Sequence, residues 1–334
     1  LHYYYKSLEG KKTADPTGRL IFNINRIQMQ KNISRKNFLA TIPLFASLPG
    51  IFHTMKKENF YKLSFSTLGC PDWPFDKITD FAKANSYVGI EVRGILREMD
   101  LTKVPEFSTP DAIQVTLKKM KDRGLVFVDL GSSAAMHLPK GDERTKNLEE
   151  GKRFIDLAQK LNCPFIRVFP NQLPKDRDRQ ESINLIIAGL RELGDYASDK
   201  NVTVLLESHG ELIYKKDLLT VMEGASSPHV GLVWDICNMW SVTKESPDEV
   251  YAVLKPYIKH THIKDLKIID GKEEYVLLGT GIVPIFHAID LLYKNNYPGY
   301  YSFEWEKLWH PEILEPQIAL ADYPVAMRKN FEKA

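Results

Sequence analysis

Four acidic or imidazole side chains close four successive short apolar runs in the second half of the sequence. They are Glu207 after VTVLL, Asp235 after VGLVW, His262 in IKHTH and Glu304 after YYSF. If each run is a strand, its last residues sit at a sheet end, and four such ends can meet at one point. Two glutamates, an aspartate and a histidine around one point suit a hard or borderline divalent cation. Taken singly, a strand-end carboxylate is commonly a helix cap or a partner for a basic residue, and a histidine in an apolar run is commonly a hydrogen-bonded core residue. The occurrence of one such residue per consecutive strand end is what points to a metal site.

The elements that would position these residues are legible as alternating patterns. Strand-like runs, rich in β-branched and aromatic residues, occupy 62–67, 88–93, 125–130, 165–169, 202–207, 230–235, 258–263 and 300–305. Several are apolar almost throughout, as strands buried on both faces should be. Helical patterns fill gaps between them, at Phe75–Ala84, Asp111–Lys121, Leu148–Leu161, Ile183–Ala197, Lys216–Met222, Asp248–Leu254 and Pro284–Tyr293. Thr109-Pro110 supplies a capping hydroxyl and a first-turn proline ahead of the second of these. The alternation predicts an α/β fold, a single (β/α)₈ TIM barrel over residues 60–334, with Glu207, Asp235, His262 and Glu304 at one mouth. The structural alternative, an open doubly wound sheet, usually carries a glycine-rich turn after its first strand, and Leu68-Gly69-Cys70-Pro71 is not that turn.

The runs LLESHG (205–210), GLVWDICN (231–238), HTHIKD (260–265), LGTGIVPI (278–285) and GYYSFEWE (299–306) resemble the sugar phosphate isomerase/epimerase family of xylose isomerase-like TIM barrels. The resemblance implies that Glu207, Asp235, His262 and Glu304 hold one divalent ion (Mn²⁺, Co²⁺, Mg²⁺ or Zn²⁺ would suit). It also implies an isomerase or epimerase acting on a small polyhydroxy ketone or aldehyde, with Glu207 and Glu304 as acid/base groups on opposite faces of the substrate. The residue types fit such chemistry. Removing a proton next to a carbonyl leaves an enediolate, which a Lewis acid stabilises while carboxylates move the proton. The same proton abstraction with a leaving group one carbon further gives a metal-dependent lyase or dehydratase of a keto-sugar or keto-inositol, which is the alternative reading. A non-catalytic sugar-binding barrel would have no need of the ligand quartet.

Other residues are weaker candidates for substrate contact. His209 follows Glu207 by two and so shares its face. Lys264 could reach a ligand or substrate oxygen, or pair with Asp265. Arg167 could neutralise an anionic mouth, Glu91 and Arg93 could pair with each other, and Trp305 or Trp309 could wall a sugar. Gly279-Thr280-Gly281 could cradle a phosphate, though a plain turn is the commoner outcome. Apurinic-site endonucleases, which share this barrel, need three zinc ions and extra histidines. Here strand two ends in Glu-Val-Arg, Asn238 stands in the strand-six motif, and Ile-Lys-Asp follows His262.

Charge argues the same way. The chain has 45 Lys/Arg and 43 Asp/Glu, but residues 1–59 hold ten of the former and three of the latter, which leaves 35 and 40 for the rest. A mildly acidic body excludes nucleic acid as the expected partner and leaves a small-molecule sugar. A homo-oligomer is compatible with this composition. The three cysteines, Cys70, Cys163 and Cys237, form no C-x-x-C pair and an odd count argues against a disulfide framework.

Residues 1–59 read as an N-terminal leader. From Met29, a basic region at Lys31, Arg35 and Lys36 precedes an apolar stretch from Phe38 to Phe52, which is the order of an export signal. Ser34-Arg35-Lys36-Asn37-Phe38-Leu39 resembles a twin-arginine signal with Lys36 in place of the second arginine. The reading predicts a periplasmic or otherwise exported protein that is not membrane-bound after signal removal. The alternative is a cytoplasmic protein whose segment is an ordinary amphipathic helix. Expression of residues 56–334 alone tests the leader. A removable signal leaves the thermal midpoint and metal binding of the full chain unchanged, whereas aggregation or a much lower midpoint rules it out.

Overall fold

The computed structural model describes residues 61–175 and 177–333, so the expected leader lies outside the described residues. In chain order the elements are β1 (Lys62–Ser66), α1 (Phe75–Ala84), β2 (Gly89–Val92), α2 (Pro110–Asp122), β3 (Val126–Ala135), α3 (Asp142–Leu161), β4 (Phe165–Phe169), α4 (Arg179–Ala197) and β5 (Thr203–Glu207). They continue with α5 (Lys215–Ala225), β6 (Val230–Asp235), α6 (Ile236–Thr243), α7 (Pro247–Leu254), β7 (Ile258–Ile263), β8 (Asp265–Ile269), β9 (Lys272–Val276), α8 (Ile285–Lys294), β10 (Tyr300–Phe303) and α9 (Pro316–Phe331). Eight strands close into a parallel barrel in the order β1-β10-β7-β6-β5-β4-β3-β2, which is the predicted (β/α)₈ architecture. Among the described residues no helix is long and apolar enough to cross a membrane.

Strand burial explains the apolar runs. β2 and β6 are buried at every residue, because one face meets the barrel interior and the other the helices. The helices start where local chemistry predicts. Thr109 Oγ1 accepts from the Ala112 amide, and Pro110 opens α2 where its missing N–H costs nothing.

Several features depart from the sequence reading, α6 among them, which follows β6 without a break. β8 and β9 form an antiparallel hairpin just after β7. Its two-residue turn, Asp270-Gly271, has positive φ at both positions (50° and 77°), the backbone that matches the twist of paired strands. α3 begins at Asp142 and not at Leu148, its polar first turns carrying no apolar periodicity to read, and α9 carries Pro324 in its interior, which interrupts the helical pattern.

Alternation along β10 and the residues after it settles the two tryptophans. Ser302 and Glu304 face the barrel interior, so Phe303 and Trp305 face outward. Trp305 is fully buried there, its ring 5.7 Å from that of Phe303 and its Nε1 donating to the Leu314 carbonyl at 2.9 Å. It therefore walls no sugar, which corrects the reading of Trp305 as a substrate contact. Trp309, 55% exposed, reaches the mouth instead. Trp305→Ala should lower stability by about 3–5 kcal/mol, as large aromatic deletions in cores do, and Trp309→Ala by less than about 1 kcal/mol. Urea unfolding of the two variants checks this, and equal losses would place Trp305 wrongly.

Candidate metal centre and active site

The quartet is assembled by adjacent strands. β5, β6, β7 and β10 are neighbours in the barrel, and each contributes one side chain at or just past its C-terminal end. One donor atom each from Glu207, Asp235, His262 and Glu304 lies within 4.8 Å of the others, and all four residues are buried. His262 Nδ1 is the centre of the group. It stands 3.3 Å from Glu207 Oε1, 3.3 Å from Glu304 Oε1 and 3.9 Å from Asp235 Oδ2.

The other nitrogen of His262 explains why Nδ1 points there. Nε2 lies 3.2 Å from Glu91 Oε2, on β2, which is not a neighbour of β7, so this contact crosses the barrel interior. The same carboxylate oxygen is 2.9 Å from His260 Nε2 and accepts from Ser302 Oγ at 3.0 Å. A carboxylate on one ring nitrogen fixes the ring and raises the basicity of the other, the arrangement that supports a metal-bound histidine. Glu91 thus pairs with histidines and not with Arg93.

The donor set fits a divalent ion. His262 Nδ1 and Glu207 Oε2 are buried without a hydrogen-bond partner among the described residues, which is costly unless something else meets them. Without a cation, charge in the cluster is strained. Burial pushes the Asp235 carboxyl up to about 7 against the pull of Lys264, with Glu304 and Glu207 adding to the rise. Burial lowers His262, but Glu304, Glu91 and Glu207 outweigh it and hold the imidazole well above its usual range. Glu207 and Glu304 are pushed up by burial and pulled below the carboxylate range by cations, Glu207 chiefly by Arg167 and Glu304 by His262 and Lys264.

Asp235 serves twice. Its Oδ1 accepts from the Asn238 amide at 2.8 Å and so caps α6, while its Oδ2 accepts from Lys264. The capping role weighed for a lone strand-end carboxylate is therefore present alongside the convergence.

Lys264 is fully buried and donates to Asp235 Oδ2 at 2.7 Å, Glu304 Oε2 at 2.5 Å and Glu306 Oε1 at 2.6 Å. This corrects two expectations. The ammonium is occupied by carboxylates and does not contact the cavity, and Asp265 is not its partner. Asp265 instead accepts backbone amides of Leu266, Gly279, Gly281 and Val283, so the Gly279–Gly281 turn is folded onto a carboxylate and is no phosphate cradle.

Above the quartet is a cavity of about 260 Å³. Glu207, Glu304, Glu306, His209, Arg93, Arg167, Phe169 and Trp309 are among the residues that border it. Arg167 Nε lies 3.0 Å from Glu207 Oε2, as expected of a residue neutralising the mouth. His209 packs its ring 4.7 Å from that of Phe169 and leaves Nδ1 without a partner among the described residues. A second cleft, about 280 Å³, lies at the opposite ends of β1 and β10, and the residues lining it include no carboxylate.

Sequence reasoning missed Phe169 and Glu306 as lining residues and Glu91 as the histidine partner. The signal for the first two was the i, i+2 rule already used for His209. Phe169 follows Arg167 by two and Glu306 follows Glu304 by two.

The model of the family described as xylose isomerase-like TIM barrel matches residues 80–322. The chain belongs to this family. A search of curated protein sequences finds no match. Solved structures show the same fold at low identity. The probable 3-DHS dehydratase involved in petrobactin synthesis from Bacillus anthracis is 19% identical with a TM-score of 0.66, covering 80% of this chain and 98% of that one. D-Psicose 3-epimerase from Clostridium cellulolyticum H10, solved with D-tagatose, is 14% identical with a TM-score of 0.65, covering 81% and 98%. A xylose isomerase-like TIM barrel protein from Mycobacterium smegmatis, in complex with magnesium, is 18% identical with a TM-score of 0.63, covering 82% and 97%.

Asp129, in β3, has both carboxylate oxygens buried without hydrogen-bond partners among the described residues, and burial, with Glu91 adding to it, pushes the carboxyl up to about 8. The folded protein then keeps a proton that the unfolded chain releases near pH 4. The stability linked to this proton is full below about pH 4 and is lost as pH rises toward about 8. Asp129→Asn removes the titration. In the metal-free protein, its stability relative to the parent should rise between about pH 4 and pH 8, by on the order of 2–5 kcal/mol. Parallel urea titrations across that range check it, and a constant difference would show that Asp129 titrates normally.

Proposed function

We propose that the protein is a divalent-metal-dependent isomerase or epimerase that moves a proton next to the carbonyl of a small polyhydroxy ketone or aldehyde. The observation that carries this is the placement of Glu207 and Glu304. Each has one oxygen 3.3 Å from His262 Nδ1 and each borders the cavity, so a substrate seated there lies between two carboxylates. Glu207, Asp235, His262 and Glu304 would hold the ion. When bound, the ion supplies a Lewis acid that orients a carbonyl and its neighbouring hydroxyl and stabilises negative charge developing on them. Epimerases of this fold, the D-psicose enzyme among them, support the reading.

The two carboxylates have different surroundings. Among the described residues Glu207 Oε2 meets the Arg167 guanidinium with no well-aligned hydrogen bond, which keeps the carboxylate ionised and leaves that oxygen open to a substrate proton. Glu304 Oε2 accepts from the Lys264 ammonium, which Asp235, Glu304 and Glu306 together hold in its charged form. In one direction Glu207 would accept the proton and Glu304, carrying a proton at the start of that turnover, would return it to the opposite face. His209 is placed to hold a substrate hydroxyl, and Phe169 and Trp309 to exclude water.

A lyase on the same site is the second reading. Glu306 borders the cavity as a further carboxyl group, which in its protonated form would be a separate acid for a leaving hydroxyl. The similarity to a probable dehydratase supports it. Incubating the metal-loaded protein with a panel of keto-sugars in deuterated water separates the two. Deuterium uptake without loss of mass means isomerase or epimerase, loss of water means lyase, and no exchange with any substrate refutes both. Glu207→Gln and Glu304→Gln should each cut product formation about a hundredfold or more. In a two-base epimerase each variant keeps deuterium exchange with one epimer only. Unimpaired turnover in both variants would move the proton transfer to other groups.

A further inference from the structure

The cavity wall holds two arginines, and among the described residues only Arg167 has a carboxylate within 4.0 Å. Arg93 follows β2 and Arg167 lies in β4, with β3 between them. The residue separating them is Gly131. A Cβ there would stand 2.7 Å from Arg93 Cδ and 2.9 Å from Arg167 Nη2, so a bare position is what lets two guanidiniums lie side by side. Arg167 is accounted for. It meets Glu207 through Nε, donates from Nη1 to the Ser132 carbonyl at 2.8 Å, and stacks on Phe169 with its guanidinium carbon 3.8 Å from the ring centroid.

Arg93 is not. It is 5% exposed and borders the cavity, yet among the described residues it has no ion-pair partner within 4.0 Å. Its side-chain bonds are to Ser133 Oγ at 3.1 Å and, at a long 3.4 Å, to the Gly131 carbonyl. A buried cation beside a like charge is unfavourable unless an anion meets it. Two adjacent planar donor forks facing one cavity are suited to an oxyanion.

We infer that the substrate carries an oxyanion, a carboxylate or a phosphate, which Arg93 binds with Arg167 beside it, on the side of the mouth formed by β2 and β4. The inference rests on the proposed function for the orientation of the rest of the substrate, whose carbonyl end lies toward Glu207 and Glu304. The substrate class is then a sugar acid or a sugar phosphate and not a neutral sugar. The recognition is built from a strand position emptied of its side chain, so it belongs to the fold of this chain and not to a mobile surface residue.

The test uses the full chain loaded with Mn²⁺ and three polyols that cannot be isomerised: D-glucitol, D-gluconate and D-glucitol 6-phosphate. Calorimetric titration of the parent should show at least one anion binding about tenfold or more tighter than glucitol, and which anion gains decides between carboxylate and phosphate. Arg93→Met should bring that anion to the level of glucitol while leaving Mn²⁺ affinity, read by electron paramagnetic resonance, unchanged. Arg93→Gln serves if the methionine variant does not fold, and the thermal midpoint reports folding. Glucitol binding as tightly as both anions, or no measurable binding of either anion, overturns the inference. So does an anion preference that survives loss of Arg93, since the anion would then be meeting the metal. Failure of Mn²⁺ to bind the parent refutes the metal reading separately, and the anion comparison is then made on the metal-free chain.

Discussion

The contact on which the site depends is the hydrogen bond between His262 and Glu91 across the barrel interior. An imidazole has two nitrogens in fixed opposition, so tying Nε2 to a carboxylate on β2 aims Nδ1 at the ends of β5, β6 and β10. Without that tie the ring could rotate and the three carboxylates would have no common nitrogen partner. The bond also explains why the barrel interior is polar at this level. Glu91 Oε2 serves His260, His262 and Ser302 together, which turns what would be a buried charge into a shared acceptor. A local feature of one strand is therefore held by a residue 171 positions away in sequence.

From that bond, strand alternation does the rest. Residues two apart point the same way, so His209 reaches the cavity with Glu207, Glu306 with Glu304 and Phe169 with Arg167, Arg93 follows Glu91, and Lys264 follows His262 to the carboxylates beside it. Residues one apart go to the helices, and that is where Trp305 and Phe303 lie. The result is a mouth with chemical polarity. Carboxylates gather where β5, β6, β7 and β10 end, and guanidiniums gather where β2 and β4 end.

How much of this was legible in the sequence follows from the range of each interaction. The eight barrel strands and the convergence of Glu207, Asp235, His262 and Glu304 depend on local periodicity and on the rule that parallel strands end together, and both were readable. The β8–β9 hairpin carried a readable Asp-Gly turn that went unassigned because barrel connections were expected to be helical. α9 was hidden by Pro324. Glu91 could not be matched to His262 by spacing, because the pairing joins strands that are not neighbours. Lys264 was placed correctly on the inner face but given the wrong partners, since no local pattern shows that three carboxylates surround one ammonium. The opening left by Gly131, like the pairing of Arg93 with Arg167, exists only after the barrel closes.

The buried lysine shows what the chain gives up for this arrangement. Burying Lys264 among Asp235, Glu304 and Glu306 costs desolvation of an ammonium and three carboxylates, and an apolar core of the same volume would serve folding as well or better. Its presence makes sense if carboxylates must be concentrated at the mouth for another reason. Three acids and a histidine packed within a few ångströms repel one another, and Lys264 together with a protonated His262 supplies the positive charge that lets them stay close without a cation. If the quartet held a divalent ion, His262 would have to bind it as the neutral imidazole, and Asp235 and Glu304 would serve both the ion and the ammonium. Under the proposed metal reading, binding would then release a proton, and affinity for the ion would weaken as the solution becomes more acidic. The network that looks wasteful for stability is what keeps the donor atoms in position for the ion.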